Sequence, residues 1–108
     1  MKKAMLSQPM KGLTDEQIVA ARDKAVKYLE DKGYEVVNTL FTDEWYKKEN
    51  MKERGVLQIP ICFLAKSLES MSKCTSVLFV PGWEEARGCL IEHEVASKYG
   101  IEILYQEA

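Results

Sequence analysis

Apolar residues recur along this chain at two spacings, and the switches between them lay out its elements. Residues 3–7 (KAMLS) form a short apolar run closed by Gln8-Pro9, the signature of a first strand. From Thr14 the period changes. Ile18, Ala21, Ala25, Val26 and Leu29 recur every three or four positions, as on the buried face of a helix. Thr14-Asp15-Glu16-Gln17 fits a capping box at its start, and Lys32-Gly33 fits a stop. Residues 34–37 (YEVV), 76–80 (SVLFV) and 101–105 read as three more strands. Pro60 opens another helix, with Ile61, Leu64, Leu68 and Met71 at helical spacing. Residues 85–99 form the last long helix, closed by Gly100. The charged stretch 43–54 reads either as a helix or as a mobile excursion.

Short β-branched strands alternating with helices predict an α/β domain with a parallel sheet covered on both faces and right-handed crossovers. Ligands of such sheets bind at the carboxyl ends of strands. Two glycine-containing loops are expected there, residues 7–13 after the first strand and 81–88 after the third.

Composition narrows the functions. With 108 residues the chain is one domain, residues 1–108, able to bury about two thirds of its unfolded surface. A net charge of −2 without a Lys/Arg block argues against a nucleic acid polymer as partner. No apolar run approaches the roughly 20 residues of a membrane span, and the amino-terminal apolar stretch is too short for a signal peptide. Cys62, Cys74 and Cys89 form no CxxC pair and read as reduced thiols of a cytoplasmic protein. With His93 as the one histidine, no metal site is expected, and no organic cofactor motif is present.

The candidate chemistry lies in the last helix. Wound at about 100° per residue, Gly88, Cys89, Ile91, Val95, Ala96 and Tyr99 fall on one arc, opposite Glu94, Ser97 and Lys98. Glu92 falls inside the apolar arc. A carboxylate there is costly unless paired or used. It reads either as a nucleophile or base in a partly dry pocket, or as half of a structural ion pair with Arg87 or a lysine. Gly88, one turn earlier, leaves room for a ligand or for close packing. Arg87 and the first-turn amides can hold an anion. Glu94 points away from Glu92. His93 is expected at solvent or an interface, Leu90 at an oligomer contact, and Trp83 either on a base or over the core. Ser7, Gln8, Pro9, Met10, Lys11 and Gly12 carry groups suited to a sugar or phosphate but lack the P-loop frame.

Four segments resemble the small nucleoside 2-deoxyribosyltransferase-like proteins: AMLSQPMKG, KGYEVVN, VLFVPGWEEARG and CLIEHEVASKYGIEI. The Pro-Gly-Trp-Glu, Arg-Gly and Glu run is the most specific of the matches. The resemblance implies a flavodoxin-like or Rossmann-like three-layer sandwich with a four- to five-stranded parallel sheet. It implies that Glu92 attacks C1′ of a nucleoside and holds a glycosyl-enzyme intermediate, with the site completed in a homodimer or larger homo-oligomer. Gln8, Thr75, Ala86 and Met5 depart from the family pattern, where glycine, aspartate, serine and, in some members, tyrosine stand.

The leading expectation is therefore a nucleoside or nucleotide N-glycosidase or 2-deoxyribosyltransferase. Glu92 is its nucleophile, and Ser7, Gln8, Pro9, Met10, Gly12, Trp83, Arg87 and Gly88 line its substrate site. The departures favour an alternative, a non-catalytic nucleotide-binding or sequestering module. A third reading makes Glu92 part of an intersubunit salt bridge in an interaction protein.

Overall fold

The period of two along the first strand decides how the layers stack. The computed structural model describes residues 2–37 and 47–106. Its elements run β1 (Lys3–Ser7), α1 (Asp15–Asp31), β2 (Glu35–Val36), α2 (Lys48–Glu53), α3 (Ile59–Met71), β3 (Ser76–Phe79), a 3₁₀ turn (Trp83–Glu85), α4 (Arg87–Lys98) and β4 (Glu102–Tyr105). Ala4 and Leu6 of β1 join Leu78 and Val80 on one face of the sheet, against Ala25 and Leu29 of α1. Met5 joins Val77 and Phe79 on the other face, against Met71 of α3 and Ala96 of α4. Two cores separated by one sheet make the three-layer α/β sandwich that the alternation of elements predicts.

The sheet is all-parallel, in the order β2-β1-β3-β4. Chain order reverses between β1 and β3, which sets a crevice at their carboxyl ends, as in flavodoxin-like and Rossmann-like folds. Ser7 and Phe79 are register partners at those ends. Both central strands are buried on both faces, consistent with their near-continuous apolar sequences.

Local chemistry fixes the helix ends. The Thr14 hydroxyl accepts from the Gln17 N–H at 3.1 Å, and the Thr14 N–H donates to Gln17 Oε1 at 2.9 Å, so the expected capping box forms. Gly33 leaves α1 at φ 86°, a conformation glycine adopts without steric cost. The charged stretch contains α2, held by Met51 with 1% exposure. Its first part, residues 43–46, lies outside the described residues.

Three expectations change. The last helix starts at Arg87, not Glu85, because Trp83 turns inward to the core and draws residues 83–85 into a 3₁₀ turn. Ala86 then takes an extended conformation and caps α4. In α3, Ile61 is 63% exposed, since only the carboxyl-terminal end of the predicted stripe reaches the sheet, where Met71 is buried. The apolar arc of α4 is wider than the face it buries. Cys89, Glu92 and Ala96 are buried, whereas Gly88, Ile91 and Tyr99 are exposed.

These placements predict unequal costs for apparently similar truncations. Leu29→Ala should cost about 2–5 kcal/mol in urea denaturation, and Ile61→Ala less than about 0.5 kcal/mol.

Candidate active site

β1 delivers Ser7 to the carboxyl edge of the sheet, and α4 passes over that edge with Glu92 facing down. Ser7 Oγ donates to Glu92 Oε1 at 3.0 Å within the interior. Glu92 is 6% exposed, and burial raises its pKa from 4.5 to about 7 although the Ser7 hydroxyl pulls it down. Among the described residues no cation bridges it, which removes the ion-pair reading within one chain. Gln106 Oε1 is the one buried side-chain oxygen or nitrogen without a partner among them. Glu92 Oε2, which makes no such bond, therefore keeps a small contact with solvent.

The two predicted loops meet beside this carboxylate. Gly82 stands at φ 95° with Pro9 so close that a Cβ on Gly82 would lie 3.3 Å from Pro9 Cγ. Any larger residue would strain the turn and push the loops apart. Gln8, expected on substrate, instead donates from Nε2 to the Ile18 carbonyl at 2.7 Å and ties its loop to α1. The Leu13 N–H bonds the Met10 carbonyl at 3.2 Å, closing the turn that Gly12 permits at φ 81°. Met10, Lys11 and Gly12 are exposed there. Arg87 and Gly88 are exposed in the first turn of α4. Glu84 and Glu85 precede that turn instead of occupying it.

Trp83 does not present a bare ring. It stacks on His93, with centroids 4.5 Å apart and planes 13° from parallel, and tilts against Phe79 and Tyr105. His93 is thus half-buried instead of facing solvent, and its Nε2 lies 2.6 Å from the Tyr105 hydroxyl. Helix geometry explains the difference. Once α4 points Cys89, Glu92 and Ala96 at the sheet, position 93 lies on the flank over β3 and β4.

Periodicity also hides a neighbour of Glu92. Cys89 sits three positions earlier on the same face and is 3% exposed. Burial pushes its thiol up, Ser7 draws it down and the Glu92 charge raises it. Its place in the apolar arc marked it only as core, and the i, i+3 spacing to Glu92 is the signal that links the two.

The remaining departures separate by place. Thr75 lies at the amino end of β3, donating to the Lys3 carbonyl at 3.1 Å. A four-residue strand, about 13 Å, lies between it and the Glu92 end, so Thr75 cannot act there within one chain. Ala86 is at the α4 N-cap and offers no side-chain hydrogen bond. A groove of about 480 Å³ between α1 and β2, lined by Arg22, Val26, Glu30 and Tyr34 among others, contains none of the predicted site residues. Among the described residues no three metal-ligating side chains gather, and no helix is long and apolar enough to cross a membrane.

The family described as a domain of unknown function, DUF4406, matches residues 2–105, and the chain belongs to that family. No curated protein matches the chain.

The buried carboxylate generates a pH-dependent prediction. A folded-state pKa raised to about 7 means that the contribution of Glu92 to native stability is fully present below 4.5 and is lost as pH rises through 7. The loss approaches about 3 kcal/mol. Glu92→Gln removes that ionisation while keeping an acceptor for Ser7. Its melting temperature should match wild type near pH 4.5 and exceed it increasingly up to pH 8.

Proposed function

We propose that this member of the DUF4406 family is a nucleoside or nucleotide N-glycosidase of the 2-deoxyribosyltransferase type, with Glu92 as nucleophile. The observation that carries the reading is the buried Glu92, bonded by one oxygen to Ser7, neutralised by no cation among the described residues and placed at the carboxyl ends of β1 and β3. A carboxylate in this setting suits an oxocarbenium-like transition state, because the cation developing at C1′ supplies the countercharge the site lacks. Oε2 attacks C1′ as the C1′–N bond breaks, and the bonding pair leaves with the base, which takes up a proton. The resulting glycosyl ester is resolved when water or a second base bonds to C1′ and Glu92 departs as carboxylate.

Ser7 holds the spectator oxygen and so aims the other. The exposed Gly88 beside Glu92 leaves space for the sugar, and Arg87 with the uncapped first turn of α4 suits a 5′-phosphate. Pro9, Met10 and Gly12 edge the same cleft, while Gln8 and Trp83 brace its walls. The exposed strip of Gly88, Ile91 and Tyr99 supports assembly into a homodimer or larger homo-oligomer. Three free thiols support a reducing, cytoplasmic setting.

A second reading is favoured by the raised pKa itself. A Glu92 that is half-protonated near neutrality can donate a hydrogen bond to a nucleotide and bind it without turnover.

Base release from nucleosides, 2′-deoxynucleosides and their 5′-monophosphates, followed by mass spectrometry with and without an acceptor base, separates the two readings. Release by wild type should fall about 1,000-fold or more in Glu92→Gln. The wild-type kcat/KM should rise with pH through about 7 as Glu92 ionises. Nucleotide-induced thermal stabilisation in both proteins, with release by neither, would establish the binding module instead.

A further inference from the structure

The proposed mechanism leaves one buried nucleophilic side chain unused, and it lies against the Ser7–Glu92 pair. Cys89 is 3% exposed, Ser7 1% and Glu92 6%. Cys89 and Glu92 are one helical turn apart on the face of α4 that meets the sheet, a spacing that puts Cβ atoms about 5–6 Å apart. Ser7 reaches the same place from the end of β1. Both neighbours act on the thiol, Ser7 through a hydrogen bond and Glu92 through its charge. A hydroxyl, a thiol and a carboxylate thus form one buried cluster.

Proton supply gives the cluster a direction. Ser7 has one hydroxyl proton, and it goes to Glu92 Oε1 at 3.0 Å. Toward Cys89 the Ser7 oxygen therefore offers lone pairs only. Burial raises the thiol pKa against the pull of Ser7, and the Glu92 charge adds to the rise, so the group is protonated at neutral pH. It has an S–H to give, and Ser7 Oγ can accept it. The apolar neighbours of this layer, Met5, Met71, Phe79 and Ala96, carry no competing group. Of the other ionisable groups there, Cys74 donates to the Ser70 carbonyl and His93 pairs with Tyr105.

We propose that Cys89 is a positioning residue for Glu92: its S–H donates to Ser7 Oγ and holds the Ser7 hydroxyl with its proton on Glu92 Oε1. The bonds run one way, from thiol to hydroxyl to carboxylate, and each donor polarises the next. Without the thiol the Ser7 hydroxyl is a poorer donor, so ionised Glu92 is less favoured. The hydroxyl is also freer to turn away, which loosens the aim of Oε2. The second consequence rests on the reading of Glu92 as nucleophile; the first does not. A thiol suits the position because it packs as a small apolar group and still donates.

The titration of Glu92 tests the assignment without a substrate. Each protein is melted across pH beside the same protein carrying Glu92→Gln, so that the difference reports Glu92. Cys89→Ala should move the midpoint up by about 0.5 pH unit. Cys89→Ser, close to alanine in size, restores a donor and should bring the midpoint back. In a Ser7→Ala background, Cys89→Ala should shift it no further, because the thiol then has nothing to act through. No shift in Cys89→Ala, equal midpoints in the alanine and serine variants, or the same shift with and without Ser7 would overturn the assignment and leave Cys89 as core packing. With a nucleoside that wild type cleaves, Cys89→Ala should lower kcat about 3–10-fold with KM little changed. The rising limb of kcat/KM should move with the midpoint. Midpoints shifted as expected, with turnover by no protein, would reject the glycosidase reading and keep Cys89 in its role.

Discussion

A buried carboxylate whose one partner among the described residues is a hydroxyl is the constraint around which this small domain is arranged. Ser7 is the partner of Glu92, and a hydroxyl donor does not offset the loss of water around a negative charge. The ionised form therefore costs about 3 kcal/mol relative to water, a large share of the stability typical of single domains. A chain of this size keeps such a group only if the rest of the fold holds it rigidly. Met5, Leu29, Leu78 and Phe79 have no exposed surface, and each contributes about 1.5–3 kcal/mol by burial. Met5, Leu78 and Phe79 lie on the two central strands that bring Ser7 and Phe79 to the same edge, and Leu29 packs on them from α1.

Rigidity continues past the strands into the loops. Gln8 bonds α1, Pro9 abuts Gly82, and Trp83 is clamped by His93, Phe79 and Tyr105. Two loops from opposite sides of the switch point thereby brace one another, and α4 enters over the crevice from a fixed origin at Ala86. Several side chains that suit a ligand by type brace the walls of the cleft. The groups left without such a bracing role are few: the free oxygen of Glu92 and the exposed first turn of α4.

The layout was readable where local chemistry alone decides it. The Thr14–Gln17 box, the stop at Gly33 and the apolar run of β3 depend on neighbours in sequence, and each forms as the pattern indicates. Glu92 was readable because a charge inside an apolar arc is visible at the helical period. What periodicity could not show is how much of an arc the fold covers, so Ile61, Ile91 and Tyr99 were expected inside. Nor could it show pairings distant in sequence. The partnership of His93 with Tyr105 depends on β4 lying beside β3, and that of Ser7 with Glu92 spans 85 positions. The start of α4 depends in the same way on contacts distant in sequence, since Trp83 turns inward toward residues it meets only in the folded state.

The amino end of the sheet offers a control within the same molecule. Glu102 there accepts hydrogen bonds from the hydroxyls of Tyr34 and Ser76 and lies 3.9 Å from the Lys2 ammonium. The Ser76 and Tyr34 donors hold its pKa below the ordinary carboxylate value, and the group is open to water. That carboxylate is stabilising when charged and loses its contribution as pH falls. Its partners tie β4 to β3 and to the segment leading into β2. Glu92, at the other end, is driven in the opposite direction by burial with a single donor. Two glutamates on one sheet thus have opposite electrostatic settings, one fully partnered and structural, the other left short of charge compensation. A cation developing in the cleft would supply what is missing. That asymmetry supports placing the proposed chemistry at the carboxyl ends of β1 and β3, on grounds separate from the sequence motif there.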